Sequence, residues 1–152
     1  MTGTRERATS PEDLTRLFVE RANEGDAEGM AELYAPDAVL AYPPGAATVG
    51  RAAIRAVCQA LLDHTTEPFR QEEPLPTVRY GDLALTSTPS GDNTGGRVQV
   101  VRREQDGTWL RIIDRPEIRP EIRPEIRPEI RPEIRPEIRP ENRPENRPAA
   151  GR

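Results

Sequence analysis

The sequence predicts an α+β domain followed by a repeat tail, and three observations carry that assignment. Apolar residues fall at helical spacing in three separate segments before Thr65. Beyond Thr65 the chain changes to short β-type runs, and these end in the hairpin signal Gln105-Asp106-Gly107. From Arg115 it reads as six RPEI units, two RPEN units and a short end. Helices first and strands afterwards is the α+β order rather than the alternation of a parallel sheet. The helices are therefore expected on one concave face of a curved, mostly antiparallel sheet.

Each element has a local reason. Ser10-Pro11-Glu12-Asp13 supplies a cap, a first-turn proline and two acids for the first helix. Leu14, Leu17, Phe18 and Ala22 form its apolar stripe, and Gly25 ends it. Asp26 is expected to cap a short second helix with Met30, Leu33 and Tyr34 on one face, broken by Pro36 and Asp37. A strand over Ala38–Tyr42 stops at Pro43-Pro44-Gly45. Ala46–Val49 is a short return strand. The third helix spans Arg51–Asp63, with Ile54, Val57, Cys58 and Leu61 as its stripe. The β part then offers a weak strand at Phe69–Glu73, strands at Thr77–Tyr80 and Leu83–Thr88 around Gly81-Asp82, and a loop from Ser90 to Gly96. The final hairpin pairs Arg97–Glu104 with Thr108–Asp114.

These readings divide the chain into a flexible N-terminus over 1–9, a domain over 10–114 and a tail over 115–152. The tail holds 9 of the 17 prolines. Proline at every fourth position forbids a helix and removes the donors that a sheet ladder needs, so a disordered, extended tail is expected. The tail carries 10 Arg and 8 Glu, and the remainder 12 Arg against 18 acids, so the domain is acidic at −6 within a net charge of −4. An acidic domain without a basic stripe is not expected to bind nucleic acid. No run approaches the ~20 apolar residues of a membrane span, and MTGTRERATS lacks the apolar segment of a secretory signal. A cytoplasmic protein without membrane contact is the expectation. Cys58 is the single cysteine and His64 the single histidine. Neither belongs to a cluster with metal-ligand spacing, and no glycine loop suits a phosphate, so neither metal nor cofactor is expected.

The stretch VERANEGDAEGMAELYAPDAVLAYPPGAATVGRAAIRAV, with YGDLALTS and VVRREQDGTWLRIID, resembles the SnoaL-like branch of the nuclear-transport-factor-2-like superfamily, to which ketosteroid isomerase belongs. The resemblance covers about residues 10–114. It implies a cone-shaped roll with a pocket at its open end, and a homodimer formed through the sheet. It does not carry the isomerase reaction. The isomerase's general-base aspartate falls at Tyr42, its oxyanion tyrosine at Phe18 and its second, protonated aspartate at Gln99. A carboxylate base and two acidic donors are what that chemistry needs. Limonene epoxide hydrolase is similar in another respect. Arg97-Val98-Gln99 resembles its Arg-x-Asp element with the aspartate replaced, and Asp114 falls near its next aspartate.

The expected site follows. Tyr42, Gln99, Arg97 and Asp114 are the candidates for chemistry, the last three sharing a face across the hairpin. Phe18, Tyr34, Tyr42, Val57 and Leu61 are the candidate ligand-lining residues. Trp109 and Cys58 read as packing, and His64 as a helix-end residue. The expected partner is a small apolar or polycyclic ligand, bound with or without a cofactor-free isomerisation, cyclisation or hydrolysis. The alternative is a non-catalytic dimerising or ligand-sensing module with the tail as tether.

Overall fold

The computed structural model describes residues 3–89 and 96–118. Three helices, α1 (Asp13–Asn23), α2 (Ala27–Ala31) and α3 (Arg51–His64), pack on one face of a six-stranded sheet. The strands are β1 (Tyr34–Leu40), β2 (Thr48–Val49), β3 (Val78–Tyr80), β4 (Leu83–Thr88), β5 (Gly96–Arg103) and β6 (Trp109–Ile118). Their order across the sheet is β2-β1-β6-β5-β4-β3. Among the described residues only the β1–β6 pair is parallel, joining two strands that are far apart in sequence.

The helix starts follow from their caps. Ser10 Oγ accepts the Asp13 N–H at 3.3 Å, while the Asp13 carboxylate accepts the N–H groups of Thr9 at 3.0 Å and Ser10 at 3.1 Å. This reciprocal pairing orders a turn ahead of the regular helix. Asp26 accepts the Gly29 N–H at 2.9 Å and so caps α2. Gly50, at φ +91°, turns the chain from β2 into α3. On α3 the buried line runs Ile54, Cys58 and the partly buried Leu62. Leu61, expected on that stripe, is 40% exposed, because i, i+4, i+8 follows the core more closely than the 3,1,3 spacing.

Several expectations are corrected. Tyr34 is the first residue of β1 rather than part of α2, and β1 ends at Leu40, before Tyr42. Pro36 and Asp37 do not end an element. They bulge out, exposed, where β1 shifts register against β6 between Tyr34↔Arg111 and Val39↔Ile113. No strand forms at Phe69–Glu73, whose neighbours Pro74 and Pro76 lack ladder donors. Residues 3–9 of the N-terminal segment make contacts with the domain. Ala8 is buried, its carbonyl accepts the Trp109 N–H at 2.9 Å, and Arg5 pairs with Asp26 at 2.7 Å and Glu32 at 2.8 Å. β6 continues past Asp114 into the first RPEI unit, with Arg115 opposite Val98 and Ile118 opposite Gly96. The rest of the expected tail, and residues 90–95 of the expected loop, lie outside the described residues.

Leu14 and Leu17 of α1, Met30 of α2, Leu33, Ile54, Val101 and Trp109 make up much of the core between helices and sheet. The domain therefore buries its apolar mass under the inner half of the sheet, around the β5–β6 hairpin that Gly107 closes at φ +83°.

Candidate functional site

The inner face of the sheet is polar where β4, β5 and β6 run side by side. Thr86 pairs with Gln99, and Gln99 pairs with Asp114. Thr86 Oγ1 donates to Gln99 Oε1 at 3.1 Å, and Gln99 Nε2 donates to Asp114 Oδ1 at 3.1 Å. From β1, the Tyr34 hydroxyl donates to Asp114 Oδ2 at 2.5 Å. Arg111 Nη1 donates to the Tyr34 oxygen at 3.2 Å and stands 3.5 Å from Asp114 Oδ2. Tyr34, Gln99, Arg111 and Asp114 are each 6% exposed or less. A buried ion pair of this kind needs close partners to offset desolvation, and here Tyr34 and Gln99 provide them for the carboxylate.

Arg111 is less completely served. Its guanidinium lies 4.7 Å from the centre of the Phe18 ring and 5.5 Å from that of Tyr34. Its Nε is buried without a hydrogen-bond partner. Burial pulls the Arg111 pKa down, but Tyr34 and Asp114 outweigh that effect and leave it raised. Burial, and then the Asp114 charge, push the Tyr34 phenol well above its ordinary value. Burial raises the Cys58 thiol to about 11, so it is inert packing rather than a nucleophile.

The expected site residues separate into two groups. Gln99, Asp114, Tyr34 and Phe18 meet around Arg111. Tyr42, Arg97 and Leu61 do not. Tyr42 is 46% exposed beyond the end of β1, where its carbonyl accepts from Thr48 Oγ1. Arg97 is exposed and faces Glu72 at 3.6 Å. Val57 packs against the core from α3, and His64 sits exposed at the helix end with Nδ1 at 2.7 Å from the Ala60 carbonyl.

Arg111 and Thr86 are absent from the sequence expectation. Strict alternation along β6 turns Leu110, Ile112 and Asp114 to one side and Arg111 to the other. A bulge intervenes: Val100 faces Ile113 and Val101 faces Arg111, leaving Ile112 extra, so Arg111 and Asp114 point to the same side. Thr86 carried a usable signal, as the second of three inward residues on the β4 run, between Ala84 and Thr88. Among the described residues no group of three His, Cys, Asp or Glu side chains is placed to hold a metal ion, and no helix is long and apolar enough to cross a membrane.

Comparison with known proteins gives a consistent family. Residues 15–115 match the family described as SnoaL-like domain. No curated protein matches the chain. Among solved structures, a Mycobacterium tuberculosis protein of unknown function is similar at 20% identity, covering 70% of this chain and 72% of that one, with a TM-score of 0.59. A ketosteroid isomerase-like protein from Erwinia carotovora atroseptica is similar at 20% identity over 68% of this chain and 89% of that one, TM-score 0.55. A nuclear-transport-factor-2-like protein with a cystatin-like fold from Novosphingobium aromaticivorans is similar at 22% identity over 70% and 77%, TM-score 0.52. At these identities the likeness is one of fold.

Proposed function

The chain belongs to the SnoaL-like domain family, and from that premise we propose that it binds a small apolar molecule beside Arg111 on the inner face of the sheet, through a single oxygen acceptor on that molecule. The observation that carries this reading is the Arg111 Nε–H, buried and unpartnered beside a carboxylate whose own partners are in place. An orphaned donor in a dry interior costs about 1–3 kcal/mol, which a ligand oxygen would relieve. Phe18 lies over Arg111 and is only partly buried, so its displacement opens the guanidinium to the ligand. Asp114 is then the proton acceptor and Arg111 the donor to the ligand oxygen, with Tyr34, whose hydroxyl proton is already given to Asp114, holding the carboxylate in place, for a cofactor-free isomerisation, cyclisation or hydrolysis. Steroid isomerisation is not proposed, since Phe18 and Gln99 lack the acidic protons it uses.

Thermal-shift measurements with matched pairs, a cyclic ketone or epoxide against its parent hydrocarbon, test the reading. The oxygenated member is expected to raise the melting temperature by several degrees, and Gln99→Leu to abolish that rise. A flat screen, or equal shifts from both members of each pair, would count against it.

A second feature supports the dimerising role. On the outer sheet face Val78, Tyr80, Leu83 and Leu85 are all at least 38% exposed and border a hollow of about 170 Å³ with Val100. Adjacent exposed apolar side chains on one sheet are the pattern of an interface. We propose a homodimer through this face. Light scattering is expected to give twice the chain mass, and a monomer for Leu83→Asp combined with Tyr80→Glu; a wild-type monomer at high concentration would rule it out.

A further inference from the structure

A cleft of about 430 Å³ lies against the N-terminal segment, away from the polar cluster described above. Its lining includes Arg5, Arg7, Arg21 and Arg51 but only two carboxylates, Glu6 and Glu32. In a domain with an acidic balance, that local excess of cations is the exception. The four arginines are not equivalent. Arg5 is neutralised by Asp26 and Glu32, and Arg7 by Asp106. Glu6 is taken by Arg16 from outside the cleft. Among the described residues, neither Arg21 nor Arg51 forms an ion pair.

Both are held by carbonyls instead. Arg21 is 6% exposed and donates to the carbonyls of Gly29, at 2.5 Å, and Glu6. Arg51 donates from Nε at 2.9 Å and Nη2 at 2.7 Å to the single Tyr34 carbonyl, and among the described residues its Nη1 has no partner. Carbonyls satisfy the hydrogen bonds of a guanidinium but not its charge, which is costly for the buried Arg21 and leaves the half-buried Arg51 open to an anion. Clamping the N-terminal segment accounts for the bonds of Arg21. It does not account for two uncancelled charges lining one cleft. Leu33, Leu110 and Trp109 supply an apolar wall beside them.

We propose that this cleft is a binding site for a small organic oxyanion, a carboxylate or phosphate monoester carried on an apolar body. The guanidinium fork matches either group, and a space of this size falls within the range of small-ligand sites, ~300–1,000 Å³. Trp109 is the single tryptophan, so its emission reports the cleft directly.

The test is a fluorescence titration of the full chain with benzoate, phenyl phosphate, inorganic phosphate and benzyl alcohol. Benzoate or phenyl phosphate is expected to give a saturable change and benzyl alcohol none, with inorganic phosphate weaker than either aromatic anion. Arg51→Gln is expected to weaken binding about tenfold, with Arg51→Lys intermediate. Arg7→Gln, which removes a cation already paired at the rim, is expected to change affinity about twofold or less. Equal responses to benzoate and benzyl alcohol, an Arg51→Gln protein that binds as the wild type does, or no saturable response to any anion would overturn the proposal. Because the probes are anions, failure here leaves the neutral-ligand reading of the inner site standing, and the reverse also holds.

Discussion

The two faces of one stretch of sheet have exchanged the roles usual for a globular domain. Facing the helices are Thr86, Gln99, Arg111 and Asp114, all buried; facing away, on the same strands, are the exposed Leu85 and Ile113 and the half-buried Val100. Period-two alternation makes the two sets inseparable, since each inward polar residue has outward apolar neighbours. A pattern optimised for a solitary folded chain would run the other way. The inversion is what the two proposed contacts would account for, a small oxygen-bearing ligand on the inner face and a second copy of the chain on the outer.

The sharpest way to break this contrast is to remove one charge from the inner face. Asp114→Ala leaves Arg111 buried and unpaired, and is expected to cost about 3–5 kcal/mol in urea denaturation. Replacing both, as Arg111→Met with Asp114→Leu, is expected to recover most of that loss. Were the double variant as unstable as the single, the pair would be a stabilising element and not one retained for a site.

Tyr34→Phe is the next largest, at about 1–3 kcal/mol, because a lone pair of Asp114 and a donor of Arg111 lose their partner together. It also has a pH signature. The Tyr34 phenol holds its proton more tightly folded than unfolded, so its contribution is whole below about pH 10 and drains away as pH rises past it. Cys58, raised to about 11, adds an earlier loss with the same sign. Alkaline denaturation is therefore expected to be shallower in Tyr34→Phe than in the wild type; identical alkaline limbs would mean the phenol is not held as described.

On the outer face the same size of change should do little to the fold. Leu85→Asp is expected to alter chain stability by about 0.5 kcal/mol or less once dimerisation is accounted for, since the side chain is already 40% exposed. A loss approaching that of Tyr34→Phe in the monomer would erase the distinction between the faces. Smallest of all is removal of residues 119–152, expected to leave the melting temperature unchanged, while cutting at 115 removes the Arg115–Val98 and Ile118–Gly96 pairings and lowers it.

The residues that were legible in the sequence share one property: local chemistry fixes them. The Asp106-Gly107 turn sets the β5–β6 register, and that register places Gln99 opposite Asp114. Ser10 with Asp13, and Asp26 with Gly29, announce two helix starts. Tyr42 and Arg97 were misplaced because both lie near strand ends, where alternation no longer dictates direction and solvent competes.

What the sequence settled by itself was the succession of three helical segments and then a sheet meander, the final hairpin, the stripe of the first helix and the point where repeats begin, since each rests on neighbours within a few positions. What only the folded chain decided was which groups converge. Tyr34 reached Asp114 through a parallel pairing of β1 with β6, two strands separated by most of the domain. Arg111 turned inward because one extra residue, Ile112, entered the ladder. A bulge reverses every side chain beyond it, and its position reflects the balance of packing on both faces at once, a quantity that no short stretch of residues contains.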